Sequence, residues 1–340
     1  MQTYKFIKQY RVFFFVIFTF FFCQNAWSEK VSTLQGKPIF KLEIKGQGLR
    51  FFIEVNGNNV LNQFDPQSQI ATELYINQWM HPEQNTFSVV AIPQYGSIIK
   101  GGGLVMIDLI IQDADNSNIN YRLPIIELNT NSLPSQKEIV TSSKTGHYYL
   151  GMSNQVVYGK GAIELEKISK SDYTRYDSGA ITYSRKALIP NSLPVWAFFN
   201  SDELPDYFSE TDEQNFESIE DLFEEYKKVQ EALVSGDVNS IMPLFKERNH
   251  EGDLAFYLPP GTMEEKLKTS MLDNINNPDW ILQIRTKEGN AIIRESNKKL
   301  VSLFKAKQAN IIGFVNKNDG RYNNYPIKFR RENGKWVLTR

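Results

Sequence analysis

The chain has 340 residues, 41% of them apolar and 23% charged, and its 38 basic and 39 acidic side chains leave a formal charge of −1. That composition excludes a disordered or fibrous chain, and the balanced charge gives no general basis for nucleic-acid binding. One cysteine, Cys23, and three histidines, His81, His147 and His250, leave little material for disulfide, thiol or zinc chemistry.

Residues 1–28 have the layout of an export signal. Lys5, Lys8 and Arg11 supply a positive start, and Val12 to Phe22 is apolar except for Thr19. That run is 11 residues long, well short of the roughly 20 that a bilayer core requires. Ala26-Trp27-Ser28 places small residues at −3 and −1, so cleavage is expected after Ser28. A lipid anchor on Cys23 would want a small residue before it, and Phe22 stands there. The expected location is the periplasm, with membrane contact only through the transient signal. Removing 28 residues takes away three basic side chains and Cys23, leaving a cysteine-free chain near −4. A chain of this size can bury enough surface without disulfides.

From 38 to 130 the pattern alternates with period two. Ile39, Leu42 and Ile44 are followed by Leu49, Phe51, Ile53 and Val55, then by Asn56-Gly57, a strong hairpin signal. Further stripes run through Ile70–Ile76, Phe87–Ala91 and Val105–Ile111, the last after Gly101-Gly102-Gly103, and a return follows the polar turn Asp113–Asn118. Seven short strands predict an antiparallel β-sandwich. The stretch from Leu74 to Val89, with Trp79, Pro82 and Glu83-Gln-Asn-Thr86, resembles a strand–turn–strand of sugar-binding sandwiches attached to glycosidases. That resemblance implies the sandwich and offers Trp79 and His81 as a sugar platform, against a plug at the sandwich end. Val156–Tyr158, Ala162–Glu166 and Ala180–Leu188 predict further strands. Pro190, Pro194 and Pro205 then punctuate the chain, and 201–225 holds 11 acidic residues and no basic one. The expected division is 1–28 signal, 29–192 sandwich, 193–214 linker and 215–340 an α+β domain.

Phe216, Ile219, Leu222, Phe223, Tyr226, Val229 and Leu233 predict an amphipathic helix, ended by Gly236. Asp237 is an N-cap for a second short helix through Leu244 and Phe245. Thr262-Met-Glu-Glu265 predicts a capping box before a third helix. Six strand patterns follow Pro278, with turns at Asn318-Asp-Gly320 and Asn333-Gly334. The predicted architecture is therefore helices packed on a curved sheet. Ala232–Phe245, with its Ser-Gly-Asp, and the closing Phe329–Leu338, with Asn-Gly-Lys-Trp, resemble the nuclear-transport-factor-2-like (cystatin-cone) superfamily. That resemblance implies a cone-shaped fold, shared by small-molecule isomerases and by domains without catalysis.

No catalytic set, cofactor or metal site is expected. His250-Glu251-Gly-Asp253 is the densest ionisable cluster of the C-terminal part and is expected in a solvated loop; it also lacks the second histidine of a zinc-protease motif. Asp113, Asp115 and Ser117 begin like a calcium loop, but Asn118 and Pro124 stand where glycine and glutamate are needed. Gly151-Met-Ser153-Asn-Gln155 lacks the second glycine of a nucleophile elbow. The charge asymmetry offers more: 11 acids in 201–225 face 14 Lys/Arg against 4 Asp/Glu in 285–340. Trp196, Phe198 and Phe199, beside Asp202, Glu203 and Asp206, are candidate protein-binding residues, since aromatics next to charge make hot spots; an interdomain plug is the alternative. Val195–Pro205, Glu224–Val229 and the Ser-Gly-Asp helix pair are similar to periplasmic immunity proteins encoded beside toxins of type VI secretion. That resemblance implies a protein partner, a toxin held inactive. A small-molecule isomerase or hydratase in the cone and a carbohydrate- or envelope-binding module are the alternatives.

Overall fold

The computed structural model describes residues 34, 36–92, 102–130, 140–141, 145–150, 156–158, 163–171, 180–204, 212–283, 290–295, 297–305, 309–310 and 312–340. The expected export signal with its expected cleavage site after Ser28, and Asp206, Gly101 and Gly151–Gln155, lie outside them. Thr33–Arg340 gather into one compact unit.

All seven strands expected before residue 130 form: β1 (Pro38–Gln47), β2 (Arg50–Val55), β3 (Asn58–Gln63), β4 (Ile70–Tyr75), β5 (Gln84–Ile92), β6 (Leu104–Asp113) and β7 (Asn120–Asn129). They join β8 (Val140–Thr141), β9 (Gly146–Leu150), β10 (Val156–Tyr158), β11 (Ile163–Leu165), β12 (Ser169–Ser171) and β13 (Ile181–Leu188). The two resulting antiparallel sheets have the orders β4-β1-β6-β7-β8 and β10-β9-β11-β13-β5-β2-β3, with β12 beside β13. The period-two stripes face inward with one change: the buried residues of β1 are Phe40, Leu42 and Ile44, in one cluster with Phe51 and Ile53 of β2 and Phe87 and Val89 of β5, while Ile39, expected in the stripe, is half-buried on the alternate side. At the β2–β3 turn Asn56 and Gly57 have φ of 51° and 73°, the left-handed pair that a two-residue hairpin of this twist requires. The opposite face of β2 is less polar than its alternation suggests. Glu54 is buried, and Phe52 packs with Val90, Ile92, Ala180 and Phe64 outside the main core.

The helical layer comprises α1 (Asp212–Ser235), a single turn α2 (Val238–Ile241), α3 (Lys246–Ala255) and α4 (Thr262–Asn276). Gly236, at φ 76°, ends α1. Asp237 caps α2 by accepting the Ser240 N–H at 3.3 Å. The expected continuation through Phe245 becomes a 3-10 turn, Met242–Phe245, opening at Pro243, whose missing N–H cannot extend the α-helical ladder. Among the described residues no helix is long and apolar enough to cross a membrane.

After α4 the chain is antiparallel strand again. β14 (Trp280–Leu282), β18 (Gly313–Asn316) and β19 (Tyr322–Asn324) form one sheet; β15 (Asn290–Arg294), β16 (Val301–Lys305), β20 (Phe329–Glu332) and β21 (Lys335–Leu338) form another, with β17 (Ala309–Asn310) beside β16. Leu222, Tyr226, Val229 and Leu233 of α1 share a second buried cluster with Val301, Leu303, Phe329 and Leu338. β16 and β20 are in register only at Val301 and Phe329. Beyond that point the Tyr226 hydroxyl bridges the split: it accepts the Leu303 N–H at 3.2 Å and donates to Ile327 O at 2.6 Å. Burial raises this phenol well above its ordinary range, with the Leu303 bond opposing.

Candidate functional site

The proline-punctuated segment after β13 is held residue by residue. Asn191 accepts the Leu193 N–H at 3.0 Å and donates to Ile189 O and His81 O. Trp196 Nε1 donates to Asn77 O at 3.1 Å. A 3-10 turn over Ala197–Asn200 follows. Phe198 meets Trp79 edge-on, 6.0 Å between centroids, and Phe199 lies 4.2 Å from Phe198 and 5.2 Å from the His81 ring.

This geometry divides the five candidate residues that the structure describes, Asp206 lying outside them. Trp196 and Phe198 are fully buried, so neither is a surface anchor; packing with Trp79 in the buried cluster of the N-terminal sheets makes them the floor of the segment. Phe199 is half-buried above them, and Asp202 and Glu203 are exposed. Asp202 donates its N–H to Arg331 O at 3.0 Å, and Leu204 donates to Lys298 O at 2.7 Å. Gly334 N–H reaches Asp202 Oδ2 at 3.3 Å, and Lys298 stands 3.6 Å from Glu203. The strip 201–204 is thus fastened along the C-terminal strands with both carboxylates outward.

Beneath the segment lies a cluster of charges drawn from α3, β20 and Arg340. His250-Glu251-Gly-Asp253 is not a loop; it lies inside α3, where Glu251 and Asp253 are buried. Glu251 accepts the Ala197 N–H at 2.7 Å with Oε1 and pairs through Oε2 with Arg340. Arg340 also donates to Gln78 O at 3.1 Å, and its guanidinium lies 4.8 Å from the Phe198 ring, 5.4 Å from Trp79 and 5.9 Å from Trp196. Burial pulls this guanidinium down and Glu251 opposes. Arg330 grips Glu247 with two bonds of 2.9 and 2.6 Å. Burial pushes the Glu247 carboxyl up, but Arg330 and Thr339 outweigh it and hold it below the usual range. Asp253 replaces the expected capping box. Its carboxylate accepts the N–H groups of Gly261 at 2.7 Å and Met263 at 2.8 Å, so Thr262 is the first residue of α4 rather than its cap. His250 is exposed.

The hairpin tip β2–β3 makes a second junction. Glu295, 2% exposed, accepts the Asn59 N–H at 2.7 Å and pairs with Lys328 at 2.7 Å. A side chain on Gly57 would meet the Asn297 backbone N at 2.6 Å. Asn77 ties the same region together by donating to Pro38 O and Ala255 O, both at 2.8 Å, while accepting the Phe40 N–H.

The remaining candidates are structural. Trp79 is 9% exposed, with Lys328 at 5.0 Å and Arg340 at 5.4 Å from its ring, which leaves no open stacking face for a sugar. Asp113 accepts the Asp115 N–H within the turn and the Lys37 N–H across to the start of β1, and Asp115 pairs with Lys37; these bonds pin the turn. A Cβ on Gly103 would meet Leu49 Cβ at 2.8 Å, so this glycine serves close packing. Among the described residues no group of three His, Cys, Asp or Glu is placed to hold a metal. An open groove of about 500 Å³ runs along α4 and β19, lined by Glu265, Thr269, Ser270, Asp273, Asn274 and Asn323 among others. Under it the Tyr325 hydroxyl accepts from Asn274 at 2.6 Å and donates to Ser270 O at 3.1 Å. Comparison with known proteins finds no matching family model, curated protein or solved structure.

Proposed function

We propose that this chain is an exported, non-catalytic binding protein of the periplasm, an immunity protein that holds a secreted antibacterial toxin inactive. The finer architecture belongs to the same proposal: a β-sandwich domain followed by a helix-and-sheet cone of the nuclear-transport-factor-2-like kind. The observation that carries the reading is the fastened strip at 201–204. Two outward carboxylates and the half-buried Phe199 stand on a floor of Trp196 and Phe198. A surface ordered before binding loses little entropy on association, which favours tight inhibition, and acidic groups suit a basic enzyme face. The use of the buried carboxylates supports the same reading. Glu247, Glu251, Asp253 and Glu295 are each bonded to an arginine, a lysine or backbone N–H groups, the work of scaffolding rather than proton transfer.

A contact competition between a deletion strain and its parent tests this. The expected result is killing of the deletion strain, rescued by the exported protein and not by a version lacking residues 1–28. Asp202→Asn with Glu203→Gln, which removes both charges and keeps an acceptor for the Gly334 N–H, weakens rescue. Equal survival beside a parent with an active secretion system would overturn the proposal. A second reading, a small polar ligand turned over in the α4–β19 groove, draws on Tyr325, whose phenol burial raises.

A further inference from the structure

The two N-terminal sheets end in β4 and β8, and in β10 and β3. Three of these edges are guarded against pairing with another chain. β8 and β10 are two and three residues long, and the ladder to β3 is broken by a register shift at Ile53/Glu54; short edges and bulges are common protections. β4 has neither. It runs for six residues, Ile70–Tyr75, with no register shift, no proline and one charged side chain, Glu73. Among the described residues no strand pairs with its outer side. The phase of its ladder is set just beyond its end, where the Ile76 N–H donates to Phe40 O at 2.9 Å. Antiparallel bonds alternate along a strand. Ile70, Thr72 and Leu74 therefore bond β1, and the backbone groups of Ala71 and Glu73 point away from it. Ile70 and Leu74 pack on the core but are only partly buried there. On the opposite face the side chains of Glu73 and Lys45 are 53% and 55% exposed, and Lys45 stands beside Ala71 on β1.

We propose that β4 is the edge through which two copies of this chain pair, antiparallel, about a two-fold axis at Thr72. In this register Ala71 faces Glu73 of the other copy, so the outward N–H and C=O groups of both residues are satisfied on both sides of the axis. Ile70 faces Leu74 of the other copy and closes the open margin of each core. Thr72 faces its own counterpart, a favourable cross-strand pair. Charge selects this register. Lys45 of one copy lies two strand spacings, about 10 Å between Cα atoms, from Glu73 of the other, and the small Ala71 between them lets the two long side chains meet. A two-fold axis at Glu73 would instead set two carboxylates face to face, which is destabilising. The same patch serves both copies, as a closed dimer requires. The dimer is independent of the toxin-binding reading, because it uses none of the residues of the 201–204 strip.

The test is sedimentation velocity of the chain lacking residues 1–28 over a concentration series, with hydrogen exchange at both ends of it. The expected result is a monomer–dimer equilibrium in which the Ala71 and Glu73 amides exchange fast when dilute and slowly when concentrated. Glu73→Lys weakens dimerisation about tenfold, because the two-fold counts the change twice, and adding Lys45→Glu restores it. The only cysteine, Cys23, is absent from this chain, so Thr72→Cys adds a single thiol, placed on the axis, and oxidises to a linked dimer, whereas Ala71→Cys does not. A chain that stays monomeric at every concentration, with both amides exchanging freely, would overturn the proposal and leave β4 to a strand of a different protein. So would a dimer whose affinity Glu73→Lys leaves unchanged. The exchange measurement needs no variant and decides the matter even if a substitution prevents folding.

Discussion

Replacing Arg340 with methionine removes the cation that ties Glu251 to the aromatic floor while keeping most of the side-chain volume. In the native chain this guanidinium bonds Glu251, Thr339 O and Gln78 O and lies against three aromatic rings. Methionine leaves Glu251 Oε2 buried without its counter-charge. Breaking one side of a buried ion pair costs about 3–5 kcal/mol, and the lost ring contacts add about 1 kcal/mol. Removing the unpartnered Nε returns about 1 kcal/mol, so a net loss of about 4 kcal/mol is expected. Unfolding entropy is about 2.1 cal/mol/K per residue, roughly 0.65 kcal/mol/K for Thr33–Arg340, so Tm falls by about 6 °C. Urea titration followed by tryptophan fluorescence measures this directly, because Trp79 and Trp196 flank the lesion. The decisive comparison is the pair Arg340→Met with Glu251→Gln. Glutamine keeps an acceptor for Ala197 N–H, so the double variant should recover about 2 kcal/mol relative to the summed single losses. Additive losses, or a single-variant loss under about 1 kcal/mol, would refute the view that this pair is a buried, mutually dependent one.

Tyr226→Phe should cost about 2–3 kcal/mol, because it leaves Leu303 N–H and Ile327 O unsatisfied where β16 and β20 separate; chemical denaturation measures the loss, and hydrogen exchange should show faster exchange of the Leu303 amide. Folding raises the Tyr226 phenol, so its contribution is complete below pH 10 and falls as pH rises above that, a slope that Tyr226→Phe removes. Glu247 has the opposite sign. Its carboxyl is held below the ordinary 4.5, so the stability it lends is present above that pH and is lost as pH falls through the folded value. Glu247→Gln should therefore flatten the acid limb of a stability–pH curve while lowering stability at pH 7.

Most of the β-rich part was legible because its signals are local. A strand with one face in the core must alternate, and Phe40–Ile44, Phe51–Val55 and Val105–Ile111 do so within single segments. The hairpin at Asn56-Gly57, the stop at Gly236 and the cap at Asp237 were equally readable, since each depends on what one or two residues allow the backbone. α3 was not legible. Its sequence, Lys246–Ala255, has no apolar stripe, because it buries Asn249, Glu251 and Asp253 rather than leucines; a polar helix like this is stable only where distant groups satisfy it. Those groups are Arg340, Ala197 N–H and the first turn of α4, between 8 and 89 positions away.

The candidate site divides along the same line. Sequence alone marked the aromatic and acidic cluster after Pro194, because composition shifts need no partner to be seen. Which of its members face solvent was decided by tertiary packing. Trp196 and Phe198 are drawn under by Trp79 and Asn77, more than 100 positions earlier, while Asp202 and Glu203 are held outward by the backbone of Arg331 and Lys298. Opposite charges far apart in a sequence carry no sign of whether they will meet. Their pairing depends on which elements the two cores bring within about 4 Å and out of water, and only the folded chain sets that distance.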